Sequence, residues 1–242
     1  MLNNPKILVR WTIGPVRHQG FLALRYSIEK FAKIYNLEKS NFIICCNNLN
    51  ENQFNFIKSL NVPIYKQKEG DYKVLPKGVA WKLYPPRLNP DGHELFIDND
   101  LIIEEKINEI EEFFDSNKTL VLEDNNRAYG KFENYISKNV LINSGLFGLP
   151  PDFDLKKYMD FYIKEWQKNT TKGHEESFTW DEQGLIALIL PKYPHIIIRK
   201  EQITKCEKEL VTAPGMHFIK LNRKIGHEPF ANYLQKTLKI YL

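Results

Sequence analysis

A chain of 242 residues, 43% of them apolar and 13% aromatic, can bury one large core, which speaks against a disordered or purely structural polar segment. The formal charge of +4 is a mild excess spread as lysines along helical faces, so it gives no dedicated nucleic-acid surface. Three cysteines, two of them the strand neighbours Cys45 and Cys46, form neither a disulfide framework nor a cysteine metal cluster and fit a reducing compartment.

The chain opens with a strand in KILVRW and a turn-rich link, TIGPVRHQG. A helix follows, with Phe21, Leu24, Ile28, Phe31 and Tyr35 at helical spacing. NFIICC reads as a second strand, ENQFNFIKSL as a helix and VPIYK as a short strand, an alternation that predicts an α/β sheet with parallel strands. HELFIDND is the next strand, buried on both faces through Leu95, Phe96 and Ile97. TLVLED and NVLINSGLFGLP add strands. A helix from near Asp154 turns Leu155, Tyr158, Met159, Tyr162 and Trp166 inward, TWDEQGLIALIL opens another helix, and HIIIR is a strand.

No internal repeat or linker interrupts residues 1–242, so one α/β domain is expected, with a mainly parallel sheet flanked by helices. The N-terminus has no cleavable leader pattern, and no run approaches eighteen uncharged apolar residues. A soluble cytoplasmic protein is the expectation. The last helix, FANYLQKTLKIYL, carries an apolar stripe of Phe230, Tyr233, Leu234, Leu238 and Tyr241. Docking on the core is its expected role; peripheral contact with the inner face of a membrane is the alternative.

Asp98 and Asp100 emerge where the buried strand ends, two positions apart. In open α/β sheets ligands bind beyond the carboxyl ends of strands. Two carboxylates that close repel each other unless a cation lies between them, and a hard divalent ion takes oxygen ligands. A plain Asn-Asp turn is the simpler explanation for the triplet on its own.

FIDNDLII, INSGLFGLP, WDEQGLIAL and MHFIKLNRK, in that order and approximate spacing, resemble the motifs of nucleotide-sugar-dependent glycosyltransferases of the GT-A fold, over roughly residues 6–227. The resemblance implies a GT-A-like (Rossmann-like) domain and a metal-dependent hexosyltransferase. Its donor would be a nucleoside-diphosphate sugar, a UDP-sugar first, and its acceptor a saccharide, a lipid-linked sugar or a protein. It implies Mn²⁺ or Mg²⁺ on Asp98 and Asp100, with Asp100 the firmer ligand. His217 would complete the set, His227 being its rival, and an imidazole ligand favours manganese.

The same resemblance places Asn99 in the donor site beside Asp98, Asn143 and Ser144 at the sugar, and Trp11 and Thr12 at the nucleotide base. Lys82, Arg87 and Lys220 are the cations expected near the phosphates, with Arg223 a further basic neighbour. Asp181 and Glu182 stand at a helix start, where carboxylates also cap exposed amides. The resemblance makes one of them a sugar contact or the general base, with Asp181 ahead. Inversion and retention are not distinguished by these residues. Two other readings are a nucleotide-sugar-binding module without turnover and a phosphatase of the haloacid dehalogenase type. The latter carries its aspartate pair near the N-terminus, whereas here the pair lies almost a hundred residues in.

Overall fold

The computed structural model describes residues 6–67, 80–169, 180–219, 221 and 227–239. The chain runs through β1 (Ile7–Ile13), α1 (His18–Tyr35), β2 (Phe42–Cys46), α2 (Glu51–Ser59), β3 (Ile64–Lys66), β4 (His93–Asp98), β5 (Leu101–Ile103), α3 (Asn108–Phe114) and β6 (Thr119–Glu123). It continues through β7 (Ile142–Leu149), α4 (Leu155–Asn169), α5 (Asp181–Ile189), β8 (His195–Ile198), β9 (Ile203–Lys205), β10 (Gly215–His217) and α6 (His227–Leu238). Seven strands form one sheet in the order β3-β2-β1-β4-β7-β6-β8. β7 runs against both of its neighbours, while the pairs on either side of that segment are parallel.

Period-two alternation divides the core between the two faces of this sheet. Val9, Trp11, Ile13, Leu95, Ile97, Leu120 and Leu122 face one side, where Phe21, Leu24, Ile28 and Phe31 of α1 cover them. Phe96, Val121, Phe147 and Leu149 face the other, against Met159 and Ile163 of α4 and Leu185, Ile186, Ala187, Leu188 and Ile189 of α5. That helix shows no polar face because all nine of its residues are buried.

Arg10 sits in the middle of β1 with no solvent exposure. Its guanidinium lies over the Phe96 ring, donates to the carbonyls of Lys82, Tyr84 and Pro85, and reaches Glu94 at 3.4 Å. Glu94, equally buried, accepts the backbone N–H groups of Leu88 and Asn89. This buried pair therefore fastens the segment before β4, including the short 3₁₀ turn Ala80–Leu83, onto the sheet.

A second sheet, absent from the sequence reading, joins β5, β10 and β9, with β10 antiparallel to β5 and parallel to β9. It carries its own apolar cluster of Ile102, Met216 and Phe218 with Phe230, Tyr233 and Leu234 of α6. These three residues of the C-terminal stripe are fully buried, as expected for core docking, so a membrane contact through that face would require undocking the helix. Leu238 is the last residue of α6, and Tyr241 lies outside the described residues. Among the described residues no helix is long and apolar enough to cross a membrane.

Candidate active site

The β4 strand delivers Asp98 at its last position, and Asn99 and Asp100 form the turn into β5. Within this turn the Asn99 side chain is directed to α1: its amide donates to the Gly20 carbonyl at 3.1 Å, anchoring the turn. Asn99 is thus a support for the aspartates and not a lining residue. The second sheet then brings in the far end of the chain, because the β10–β5 register sets His217 opposite Leu101 and the Phe218 N–H donates to the Asp100 carbonyl. The result places His217 Nε2 3.3 Å from Asp100 Oδ1 and 3.9 Å from Asp98 Oδ2. One ligand atom from each of the three residues lies within 4.8 Å of the others.

Lys82 reaches Asp98 from the 3₁₀ turn, its ammonium 2.7 and 2.8 Å from the two carboxylate oxygens. Burial works against the Lys82 charge, but the carboxylates of Asp98, Glu182 and Asp100 outweigh it and raise its pKa. Glu182 is 3% exposed and its Oε2 has no hydrogen-bond partner among the described residues. Burial pushes its carboxyl up to about 7, with Lys82 opposing the rise.

The β7 strand supplies the opposite wall. Being reversed, it begins at the end of the sheet where β4 finishes, so residues at its start reach the aspartates. Its pairing with β6 jumps from Val121–Phe147 to Leu122–Asn143, leaving residues 144–146 without partners on β6. Such an irregularity re-aims side chains beside a site. Asn143 Nδ2 donates to Asp124 at 2.9 Å, and Asn143 Oδ1 accepts the Gly145 N–H at 2.7 Å. Ser144 is held by its N–H, which donates to Gln183 Oε1 at 3.1 Å.

Asp124 and Lys205 are among the lining residues that the sequence did not single out, as are Asn126, Trp180 and Gln183. Asp124 is buried at the end of β6 and accepts from Lys205, from Asn143 and from the backbone of Asn125 and Asn126. Burial would raise its carboxyl, but the hydrogen bonds from Lys205 and Asn143 hold it below the usual carboxylate range. TLVLED showed the strand that ends in an aspartate; the partner lysine comes from a three-residue strand with no periodic signal.

Together these residues enclose a cavity of about 330 Å³, a volume suited to a small ligand. Lys82, Asp98, Asp100, Asn143, Ser144, Glu182 and His217 line it, and Thr12 lines a narrow cleft continuous with Lys82, Asp98 and Glu182.

Besides Asn99, three expected contacts are corrected by position. Trp11 is fully buried, edge-on to Phe31 and Phe42, with its indole N–H donating to Ser27 at 2.8 Å, so it is a core residue and not a base contact. Arg87 binds the carbonyls of Pro150, Asn89 and Gly92 at the other end of β4, where it staples a loop. Asp181 points away from the cavity and locks onto Lys131, accepting its backbone N–H at 3.0 Å and its ammonium at 3.1 Å. Gly130, in the left-handed region at φ 54°, makes room for that carboxylate, since a Cβ there would lie 2.3 Å from Asp181 Oδ1. Of the two carboxylates in WDEQG it is Glu182 that enters the cavity. Lys220 and Arg223 lie outside the described residues, and His227 opens α6.

Gly145 explains the third residue of NSG. A Cβ there would lie 2.5 Å from His217 Cε1 and 2.7 Å from Asn143 Oδ1, so the imidazole packs directly on glycine backbone. Gly145→Ala should displace the ring, at an overpacking cost of about 1–3 kcal/mol. Thermal melting with and without Mn²⁺ tests this: the variant should melt lower and respond less to manganese. An unchanged manganese response would show that the ring position is not set here.

No protein-family model matches the sequence, and no curated protein matches it. The fold, by contrast, is matched by solved structures. One is the galactosyltransferase LgtC, in complex with donor and acceptor sugar analogues, at a TM-score of 0.60 and 9% identity over 93% of this chain and 94% of that one. Mouse xyloside xylosyltransferase 1 matches at 0.57 and 10% identity over 89% of this chain and 98% of its own. The glycosyltransferase GlyE of Streptococcus pneumoniae matches at 0.52 and 12% identity over 97% of this chain and 64% of its own. A mixed seven-stranded sheet with helices on both faces, aligned over nearly its whole length with such enzymes, gives this chain the GT-A glycosyltransferase fold.

Proposed function

We propose that the chain is a metal-dependent glycosyltransferase that moves a sugar from a nucleoside-diphosphate sugar, a UDP-sugar first, to a saccharide or lipid-linked acceptor. The observation that carries the reading is the convergence of Asp98, Asp100 and His217 beside Lys82 and Glu182 in one cavity. Two carboxylates and one imidazole from three backbone positions fit Mn²⁺, with Mg²⁺ second because of the nitrogen donor. Asp98, Asp100 and His217 would hold the ion, which supplies a counter-charge for a diphosphate.

The chain's own residues have separable tasks. Lys82 offers a fixed positive charge beside Asp98, where negative charge grows on the departing diphosphate, and such preorganised charge acts most strongly in the transition state. Asn143, oriented by Asp124, and Ser144, oriented by Gln183, present an amide and a hydroxyl to sugar hydroxyls. Glu182, buried with one oxygen unpartnered, is placed to accept the proton of an acceptor hydroxyl.

A thermal-shift screen of UDP-, GDP- and CDP-sugars with and without Mn²⁺ tests the donor assignment. Stabilisation by none of them would defeat it. Two neighbouring substitutions then separate chemistry from architecture. Glu182→Gln should leave the melting temperature nearly unchanged and lower transfer by about a hundredfold, within the range of general-base effects. Asp181→Asn should instead lower the melting temperature, because it weakens the partner of buried Lys131. The opposite pattern, activity lost with Asp181 and kept without Glu182, would reverse the two roles.

A further inference from the structure

One large aromatic on the wall of the active-site cavity has no task in the reading above. Trp180 is 52% exposed, yet its backbone is fixed: its carbonyl accepts the Gly184 N–H at 3.0 Å and the next residue is locked onto Lys131. Among the described residues the other exposed aromatics, Tyr135 and Phe161, do not line this cavity. A large apolar side chain left in water on a rigid mount is informative in a way that a scattered surface leucine is not.

Apart from Ala128 and Ile219, the other residues that line the cavity carry polar or charged groups. The Asp124–Lys205 pair, Asn126 and Ser144 present hydrogen-bonding groups around the same space. Its occupant therefore needs polar edges and at least one apolar face. A lipid tail would leave these charged groups desolvated and unpartnered, at a high cost. A pyranose has both properties: hydroxyls around its rim, and a face of C–H bonds that packs on the negative face of an indole.

The position of Trp180 separates donor from acceptor. The groups assigned to the diphosphate, Asp98, Asp100, His217 and Lys82, are largely buried, with side-chain exposures of 7–21%. Trp180 is the exposed rim, where a second substrate arriving from solvent is met first. We propose that Trp180 is the stacking platform for a sugar ring of the acceptor, which makes the acceptor a saccharide and Trp180 a residue that determines its specificity. The inference rests on the glycosyltransferase reading for its assignment to the acceptor.

The test uses the full chain with UDP and Mn²⁺ and a panel of glucose, galactose, N-acetylglucosamine, lactose and maltose, read by ligand-observed saturation-transfer NMR. At least one sugar should receive saturation on its C–H face. Trp180→Ala should weaken that binding by about tenfold or more, and Trp180→Phe, which keeps an aromatic face, should restore most of it. Circular dichroism and melting should be unchanged in both variants, since the side chain is half in solvent. Binding in Trp180→Ala equal to that of the unaltered chain, or no contact from any sugar, overturns the proposal.

The UDP–Mn²⁺ thermal shift, recorded on the same samples, separates the two readings. A shift without Trp180-dependent sugar contact leaves the donor assignment standing and removes the platform. Trp180-dependent sugar contact without a shift removes the donor assignment and keeps the platform.

Discussion

Asp100→Ala will abolish manganese-dependent turnover of a nucleotide sugar, a loss of at least about a hundredfold, while the protein stays folded. Asp100 lies in the turn between β4 and β5, with its side chain 21% exposed and nothing of the main core resting on it. Removing it leaves Asp98 neutralised by Lys82 and His217 without its nearer carboxylate. A site reduced to one free ligand and one already paired has little affinity for a divalent ion. A melting readout makes the test independent of activity. Manganese with UDP should raise the melting temperature of the unaltered chain by mass action, and that rise should vanish in the variant. An undiminished rise would mean that the ion, if it binds, uses other residues.

Glu94→Ala will lower stability by about 3–5 kcal/mol, because it removes the carboxylate that faces the buried Arg10 guanidinium and leaves that charge without its counter-ion. For a chain of this size that corresponds to a fall in melting temperature on the order of 10 °C. Removing Glu94 also leaves the N–H groups of Leu88 and Asn89 without their acceptor. The consequence reaches the chemistry, since Arg10 holds the Lys82 and Tyr84 carbonyls and so positions the Lys82 ammonium. Chemical denaturation measures the first effect. A loss below about 1 kcal/mol would show that the network is dispensable.

The parts of this molecule that could be read from sequence are those with a continuous apolar run or a helical period. The apolar runs of β1, β4 and β6 are buried on both faces, and the helical stripes of α1, α4 and α6 pack on the core. What stayed hidden was set by contacts between distant segments. β5, β9 and β10 have three residues each, too short for any periodic signal, yet they carry His217 to the aspartates and Lys205 to Asp124. The reversal of β7 has no local signature either, although it is why residues at the start of a strand face the same cavity as residues at the end of another.

Trp11 and Arg87 show the opposite failure. Both sit next to plausible ligand positions in sequence, and both are drawn away by stronger local demands. The indole fills the space between β1 and α1, and the guanidinium satisfies carbonyls of the loops around Gly92 and Pro150. WDEQG is an intermediate case: the motif lies beside the cavity, but which carboxylate turns inward depends on Lys131, fifty residues upstream.

The docking of α6 makes that helix a tether for the corner where His217 meets Asp98 and Asp100. Phe218, which follows His217 directly and donates its N–H to Asp100, packs against Phe230 and Tyr233, and Tyr233 in turn bonds Glu104 just past β5. Any partner that pried this helix loose would release the corner that holds His217 without touching Asp98, Asp100 or the imidazole itself.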